Sequence, residues 1–117
     1  AAIRKDQSIP IHIETSGVEQ LSGNPDWITL SPKRHAPPLT QVLMACQELK
    51  VVISDAEDLL FAEEMATQVK LQTSQETFLF LQPVWNSHKA QILTFEYVKR
   101  NPKWRLSVQT HKWLKVS

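Results

Sequence analysis

Four short polar segments hold the side chains best suited to gripping a ligand: Glu14-Thr15-Ser16-Gly17, Ser31-Pro32-Lys33, Gln82-Pro83 and Gln109-Thr110-His111-Lys112. Each closes an apolar run that reads as a strand. In parallel sheets and barrels the carboxyl edge is where substrates bind, so four such endings together point to a site. Gly17 just after a strand lets backbone approach a ligand without a Cβ in the way. Pro32 fixes a backbone angle and removes a donor, leaving the Ser31 hydroxyl and the Lys33 ammonium free to face a polar ligand, although an exposed turn lysine fits that segment equally. Gln82 offers an amide that both donates and accepts, and Pro83 ends its strand.

Other reactive side chains lack the spacing that chemistry needs. His12, His35, His88 and His111 form no i, i+4 pair and have no neighbouring carboxylate at metal-ligand spacing, so no metal site is expected from this chain. The single cysteine, Cys46, excludes an internal disulfide and a cysteine-only metal or cluster site, and its place on an apolar helical stripe makes it a small hydrophobe. No P-loop, Gly-x-Gly-x-x-Gly or Gly-x-Ser-x-Gly sequence occurs, and the whole chain has two glycines.

Five apolar runs rich in Ile, Val, Phe and Trp must carry these segments: Pro10 to Thr15, Asp26 to Ser31, Leu49 to Ser54, Phe78 to Gln82 and Trp104 to Thr110. Most are too continuously apolar for a sheet with one wet face. Helices are expected at Leu39 to Glu48, at 55 to 69 where Ser54-Asp55-Ala56-Glu57 has capping-box spacing, and along the Ala90, Leu93, Tyr97, Val98 stripe closed by Asn101-Pro102. Successive strand starts lie 16, 23, 29 and 26 residues apart, and the last three gaps fit strand-helix-strand crossovers. The first gap, with Gly17 and Gly23, has room for a loop or one helical turn. The expected fold is α/β, a parallel sheet with covering helices in one domain over residues 1 to 117.

Composition bounds the rest. At 117 residues, 42% hydrophobic and 21% charged, with mean hydropathy -0.28, the chain is an ordinary globular one, and no apolar run approaches the roughly 18 to 20 residues of a membrane helix. It opens Ala1-Ala2-Ile3 without a secretory address, which with the lone cysteine implies a cytoplasmic, reducing home and a sequence entered partway. The net charge of +1 hides an asymmetry: Lys99, Arg100, Lys103, Arg105, Lys112 and Lys115 crowd residues 99 to 117, which hold no acid. Trp104 and Trp113 interleave with these cations, as single-stranded nucleic acid or another anion would want. The alternation of Trp104-Arg105-Leu106-Ser107-Val108-Gln109 favours instead a half-buried strand, with the tryptophans as core or lid and nucleic acid disfavoured as a partner.

The same words in the same order resemble the second half of the 7-carboxy-7-deazaguanine synthase family, radical S-adenosylmethionine enzymes of queuosine and deazapurine biosynthesis. The residues are His12-Ile13-Glu14-Thr15-Ser16-Gly17, Asp26-Trp27-Ile28-Thr29-Leu30-Ser31-Pro32-Lys33, Glu48-Leu49-Lys50-Val51-Val52-Ile53, Phe80-Leu81-Gln82-Pro83 and Trp104-Arg105-Leu106-Ser107-Val108-Gln109-Thr110-His111-Lys112. The closing Arg-Leu-Ser-Val-Gln-Thr-His-Lys is the most specific. The resemblance implies the second half of a partial (β/α) barrel whose first half holds a 4Fe-4S cluster through three cysteines, and a magnesium ligand. Cys46 matches no cluster ligand, so the chain alone is expected to bind no cluster and to be inactive.

Carried over by position, the resemblance implies that Thr15 contacts a pterin substrate and that Gly17 lies against S-adenosylmethionine. Ser31, Pro32 and Lys33 form a second cofactor segment, and Gln82, Pro83, Val84 and Trp85 a third; Ser117, the last residue, approaches substrate. Ser16 stands where the family usually has Asn and is given no role. The implied reaction is a radical carbon-nitrogen lyase conversion of 6-carboxy-5,6,7,8-tetrahydropterin to 7-carboxy-7-deazaguanine, a ring contraction with loss of ammonia. A homodimer is left open. Two other readings remain: part of a glycyl-radical activating enzyme, and a non-enzymatic anion- or RNA-binding module.

Overall fold

The computed structural model describes residues 10 to 108, in the order β1 (His12–Thr15), β2 (Trp27–Leu30), α1 (Thr40–Ala45), β3 (Glu48–Ile53), α2 (Ala56–Gln72), β4 (Phe78–Pro83), α3 (His88–Arg100) and β5 (Arg105–Leu106). The strands form one sheet in sequence order, β1-β2-β3-β4-β5, and every pairing is parallel. Right-handed crossovers between consecutive parallel neighbours put all connecting helices on the same side, so a sheet of this order is the arc of a barrel. Between β1 and β2 no helix forms, as the short first gap implied.

One core fills the space between sheet and helices. Ile28, Leu30, Leu49, Val51, Ile53 and Leu81 enter it from the strands, and Val42, Leu43, Cys46, Leu59, Phe61, Ala62, Met65 and Val69 from α1 and α2. Register places the alternate strand residues on the opposite face: Glu14 beside Thr29, Thr29 beside Glu48, Glu48 beside Phe78, and Phe80 beside Arg105. That face carries no helix among the described residues. The expectation that the strands are buried on both faces holds for β2, where Ile28, Thr29 and Leu30 are all buried, and is corrected for β3, which alternates buried with half-buried positions because Glu48, Lys50 and Val52 line the open side.

Local chemistry sets the boundaries. Helix α2 starts one residue later than the sequence reading placed it, since the reciprocal cap is Asp55 with Asp58 in place of Ser54 with Glu57, and it runs on to Gln72. Helix α1 stops at Ala45, short of the expected Glu48, because Gln47 is drawn into the sheet. Its backbone N–H donates to Ile28 O at 3.0 Å, its carbonyl accepts from Phe78 N–H at 2.9 Å, and its side-chain Oε1 accepts from Ile28 N–H at 2.6 Å. Strand β5 covers Arg105–Leu106 only, although Ser107 N–H still reaches Leu81 O at 2.8 Å; of the expected Trp104 to Thr110 strand, Gln109 and Thr110 lie outside the described residues.

Candidate functional site

Because every pairing is parallel, the endings of β1, β2, β4 and β5 meet at one edge of the sheet. Thr15 O accepts from Ser31 N–H at 2.8 Å, which ties the first ending to the second. Thr15 Oγ1 accepts from Gly17 N–H at 3.0 Å, so the threonine side chain shapes the turn that follows it. Gly17 lies at φ +82° and is buried; a Cβ there would come within 2.7 Å of both Leu30 Cδ1 and Pro38 Cβ. The glycine is thus demanded by the chain's own packing, with Gly17 O holding Leu39 N–H at 2.8 Å at the entrance to α1.

The second ending opens a cavity. Pairing between β2 and β3 stops at Leu30 and Leu49, while β3 continues to Ile53 paired with β4. The chain leaves β2 through Ser31 and Pro32, both buried, and turns back at Lys33, whose carbonyl accepts from Ala36 N–H at 3.1 Å. Proline has no N–H to continue the ladder, so the sheet splits there. A cavity of about 470 Å³ occupies the split, lined by Pro32, Lys33, Arg34, His35, Val51, Val52, Ser54, Asp55, Asp58 and Phe61. Its size suits a nucleoside-sized ligand, and its walls combine an apolar floor with cations, carboxylates and a hydroxyl.

The third ending borders this split through β3. Gln82 sits opposite Val52 in register, is buried, and accepts from Ser107 Oγ at 3.2 Å, which links β4 to β5. Pro83 faces Ile53, Val84 N–H donates to Ile53 O at 3.0 Å, and Trp85 is more than half exposed at the edge. The cavity collects Pro32 and Lys33 from the sequence-derived set, whereas Thr15, Gly17, Gln82, Pro83, Val84 and Trp85 lie along the same edge outside its walls. Ser117 and the segment Gln109-Thr110-His111-Lys112 lie outside the described residues, as do Trp113, Lys112 and Lys115.

The open face holds a polar array that composition did not single out. Glu48 Oε1 accepts from Trp27 Nε1 at 2.7 Å and from Thr29 Oγ1 at 2.5 Å. With that hydroxyl proton committed to Glu48, the 2.9 Å contact between His12 Nε2 and Thr29 Oγ1 requires the imidazole to donate. Glu14 pairs with Lys50 at 3.0 Å, Trp27 stacks on Phe78, and the Arg105 guanidinium lies over the same Phe78 ring, 5.5 Å from its centroid. These contacts join neighbouring and next-but-one strands, residues that lie far apart in the sequence and beyond the reach of local spacing. Arg34, His35, Ser54 and the cavity carboxylates were likewise missed, although Arg34 and His35 follow Lys33 immediately in the sequence.

Two further residues have structural roles. Cys46 is fully buried, donates weakly to Leu43 O at 3.7 Å, and its thiol is pushed up to about 11 by burial, as befits a small hydrophobe. Trp104 is 1% exposed and donates from Nε1 to Glu63 Oε2 at 2.9 Å, so it belongs to the core and offers no face for base stacking. No group of three His, Cys, Asp or Glu residues placed to hold a metal occurs among the described residues. Nor does any described helix have the length and apolarity to cross a membrane.

No family model matches the chain. Curated relatives do. The chain is 55% identical to the 7-carboxy-7-deazaguanine synthase of Prochlorococcus marinus, over 94% of this chain and 54% of that protein. It is 42% identical to the synthase of the same name from Synechocystis over 96% and 52%, and 32% identical to that from Escherichia coli over 90% and 48%. Among solved structures, the crystal structure of QueE from Escherichia coli superposes with TM-score 0.76 at 26% identity, covering 92% of this chain and 48% of that one. The resemblance read from the strand endings therefore extends over nearly the whole chain, which spans about half the length of the curated relatives it matches.

Proposed function

We propose that this chain is the carboxy-terminal part of a 7-carboxy-7-deazaguanine synthase, its split sheet edge forming the shelf on which S-adenosylmethionine and a pterin lie. The observation that carries the reading is the run of similarity through all the described strand endings to synthases of that name. The substrate is 6-carboxy-5,6,7,8-tetrahydropterin, and the reaction is a radical ring contraction that releases ammonia, a carbon-nitrogen lyase activity in the cytoplasm. When bound, S-adenosylmethionine supplies the radical chemistry that the protein's own side chains lack.

The cavity fits the nucleoside of that cofactor in volume and polarity. Lys33, Pro32 and Ser54 would hold it there, with Gln82 and Trp85 flanking along the edge and Gly17 and Ser31 behind. Thr15 and Ser117 would face the pterin. What these residues do is bind, orient and keep water out, since the fixed turn at Pro32 and the buried Ser31 and Gln82 are rigid supports and not proton-transfer groups. The chain has no residues that fit a 4Fe-4S cluster: its one cysteine is buried in the core at the carboxyl end of α1. Cluster and magnesium ligands belong to a portion of the protein outside this sequence, and the isolated chain is inactive.

The direct test is turnover of the pterin by the full-length protein that contains this chain, with product formation supporting the reading and its absence, beside intact cleavage of S-adenosylmethionine in the presence of a glycyl-radical partner, replacing it. In the same protein Lys33→Ala and Gln82→Ala are each expected to weaken S-adenosylmethionine binding about tenfold while leaving the melting temperature nearly unchanged for Lys33. Unaltered affinity in both variants, measured by equilibrium dialysis, removes this edge as the cofactor shelf.

A further inference from the structure

The split between β2 and β3 has a clasp. Above the last pair, Leu30 with Leu49, no ladder joins the two strands, so the cavity's walls are free to part. One side chain crosses the gap. Arg34, one residue beyond Lys33, places Nη1 at 3.3 Å from Asp58 Oδ1, 3.3 Å from Glu57 Oε1 and 3.4 Å from Asp55 Oδ1. All three carboxylates sit at the start of α2, directly after β3. Asp58 is the least exposed of them and is itself fixed, its other oxygen accepting from Ser54 N–H at 2.8 Å.

A lone exposed ion pair is worth little, but three carboxylates converging on one guanidinium, one of them locked in a helix cap, hold the turn in a single place. We infer that Arg34 is a positioning residue that sets the width of this cavity and the reach of Lys33 into it, so that it governs cofactor affinity without touching the reacting atoms. This rests on the cofactor shelf proposed above. No other hydrogen bond or ion pair among the described residues ties the Lys33-to-Ala36 turn to α2.

The experiment uses the full-length protein. Arg34→Ala is expected to raise the S-adenosylmethionine KM and dialysis Kd about three- to tenfold, with kcat at saturating cofactor within about twofold. Arg34→Lys, which keeps the charge but loses the planar fork, recovers part of the affinity. In a Lys33→Ala background, Arg34→Ala adds little, because the two act as one unit. Amide exchange at Ala36, whose N–H closes the turn, quickens in Arg34→Ala without ligand. A Kd unchanged in Arg34→Ala, beside a weakened Lys33→Ala, overturns the clasp and leaves the shelf standing. Unchanged affinity in Arg34→Ala, Lys33→Ala and Gln82→Ala alike overturns the shelf and the clasp together.

Discussion

Alanine at Gly17 is expected to lower stability by about 2 to 4 kcal/mol, a fall in melting temperature of about 10 °C or more for a domain of this size. Two costs add. The backbone there has φ +82°, a region that disfavours any Cβ, and the new methyl meets Leu30 Cδ1 and Pro38 Cβ at 2.7 Å. Neither neighbour has room to yield: Leu30 is completely buried in the core, and Pro38 is a ring that leads into α1. Leu30 directly precedes Ser31, so the damage travels to the edge, and cofactor affinity should fall along with the melting temperature. Gly23 is the control. It also has positive φ, but nothing lies within 4 Å of its would-be Cβ, so alanine there costs the backbone strain alone, about 1 to 2 kcal/mol. Equal melting temperatures for the two variants would refute the packing argument.

Glu63→Gln is expected to cost about 2 to 4 kcal/mol, read by denaturant or thermal unfolding. The Glu63 carboxylate, on α2, accepts from Tyr97 Oη on α3, from Trp104 Nε1 at 2.9 Å and from Lys103 Nζ at 2.6 Å. One side chain thus fastens α3 and the approach to β5 onto α2. An amide in its place presents two donors to a ring of donors, and a half-buried N–H or O–H goes unpaired. Burial alone would raise the Glu63 carboxyl, but the bonds from Lys103, Tyr97 and Trp104 together outweigh it and hold the group below its ordinary 4.5. The stability tied to this group is therefore present above about pH 4.5 and is lost as pH falls through the lower native value. Tyr97 behaves oppositely: burial first, then Glu63, push it from 10 up to about 12, so stability falls as pH rises across that interval. Glu63→Gln flattens the acid arm and weakens the alkaline one, where burial of Tyr97 persists. An unchanged acid arm in the variant would mean that Glu63 is not the group responsible.

Much of the architecture was legible along the chain. Strands at His12–Thr15, Trp27–Leu30, Glu48–Ile53 and Phe78–Pro83 fall within two residues of the apolar runs, because β-branched and aromatic residues bounded by turn formers report a pleated, buried environment locally. Crossover-length gaps then implied parallel pairing, since parallel neighbours cannot be joined by tight turns. The misplacements arose where distant groups competed with local propensity. Gln47 falls inside the helix expected over Leu39 to Glu48, yet bonds to Ile28 and Phe78 pull it into the sheet. Asp55 and Ser54 are both good caps, and Asp58 at the reciprocal position decides for Asp55.

The candidate site divides in the same way. Residue types at the strand endings were sufficient to mark Ser31, Pro32, Lys33 and Gln82 as edge groups, and the strand order needed to bring them together was implied by gap lengths. Sequence also determined that no cluster, disulfide or multi-cysteine site could arise from this chain, because one Cys46 cannot supply three ligands. Tertiary structure alone decided that β2 and β3 part after Leu30 and Leu49 to leave a cavity, that Arg34 reaches across it to three carboxylates, and that Glu63 gathers Tyr97, Lys103 and Trp104. Those contacts join residues 21 to 41 positions apart. A helical or strand period fixes which face a residue takes, but where two faces meet, and how far they separate, depends on the packing of whole elements against one another.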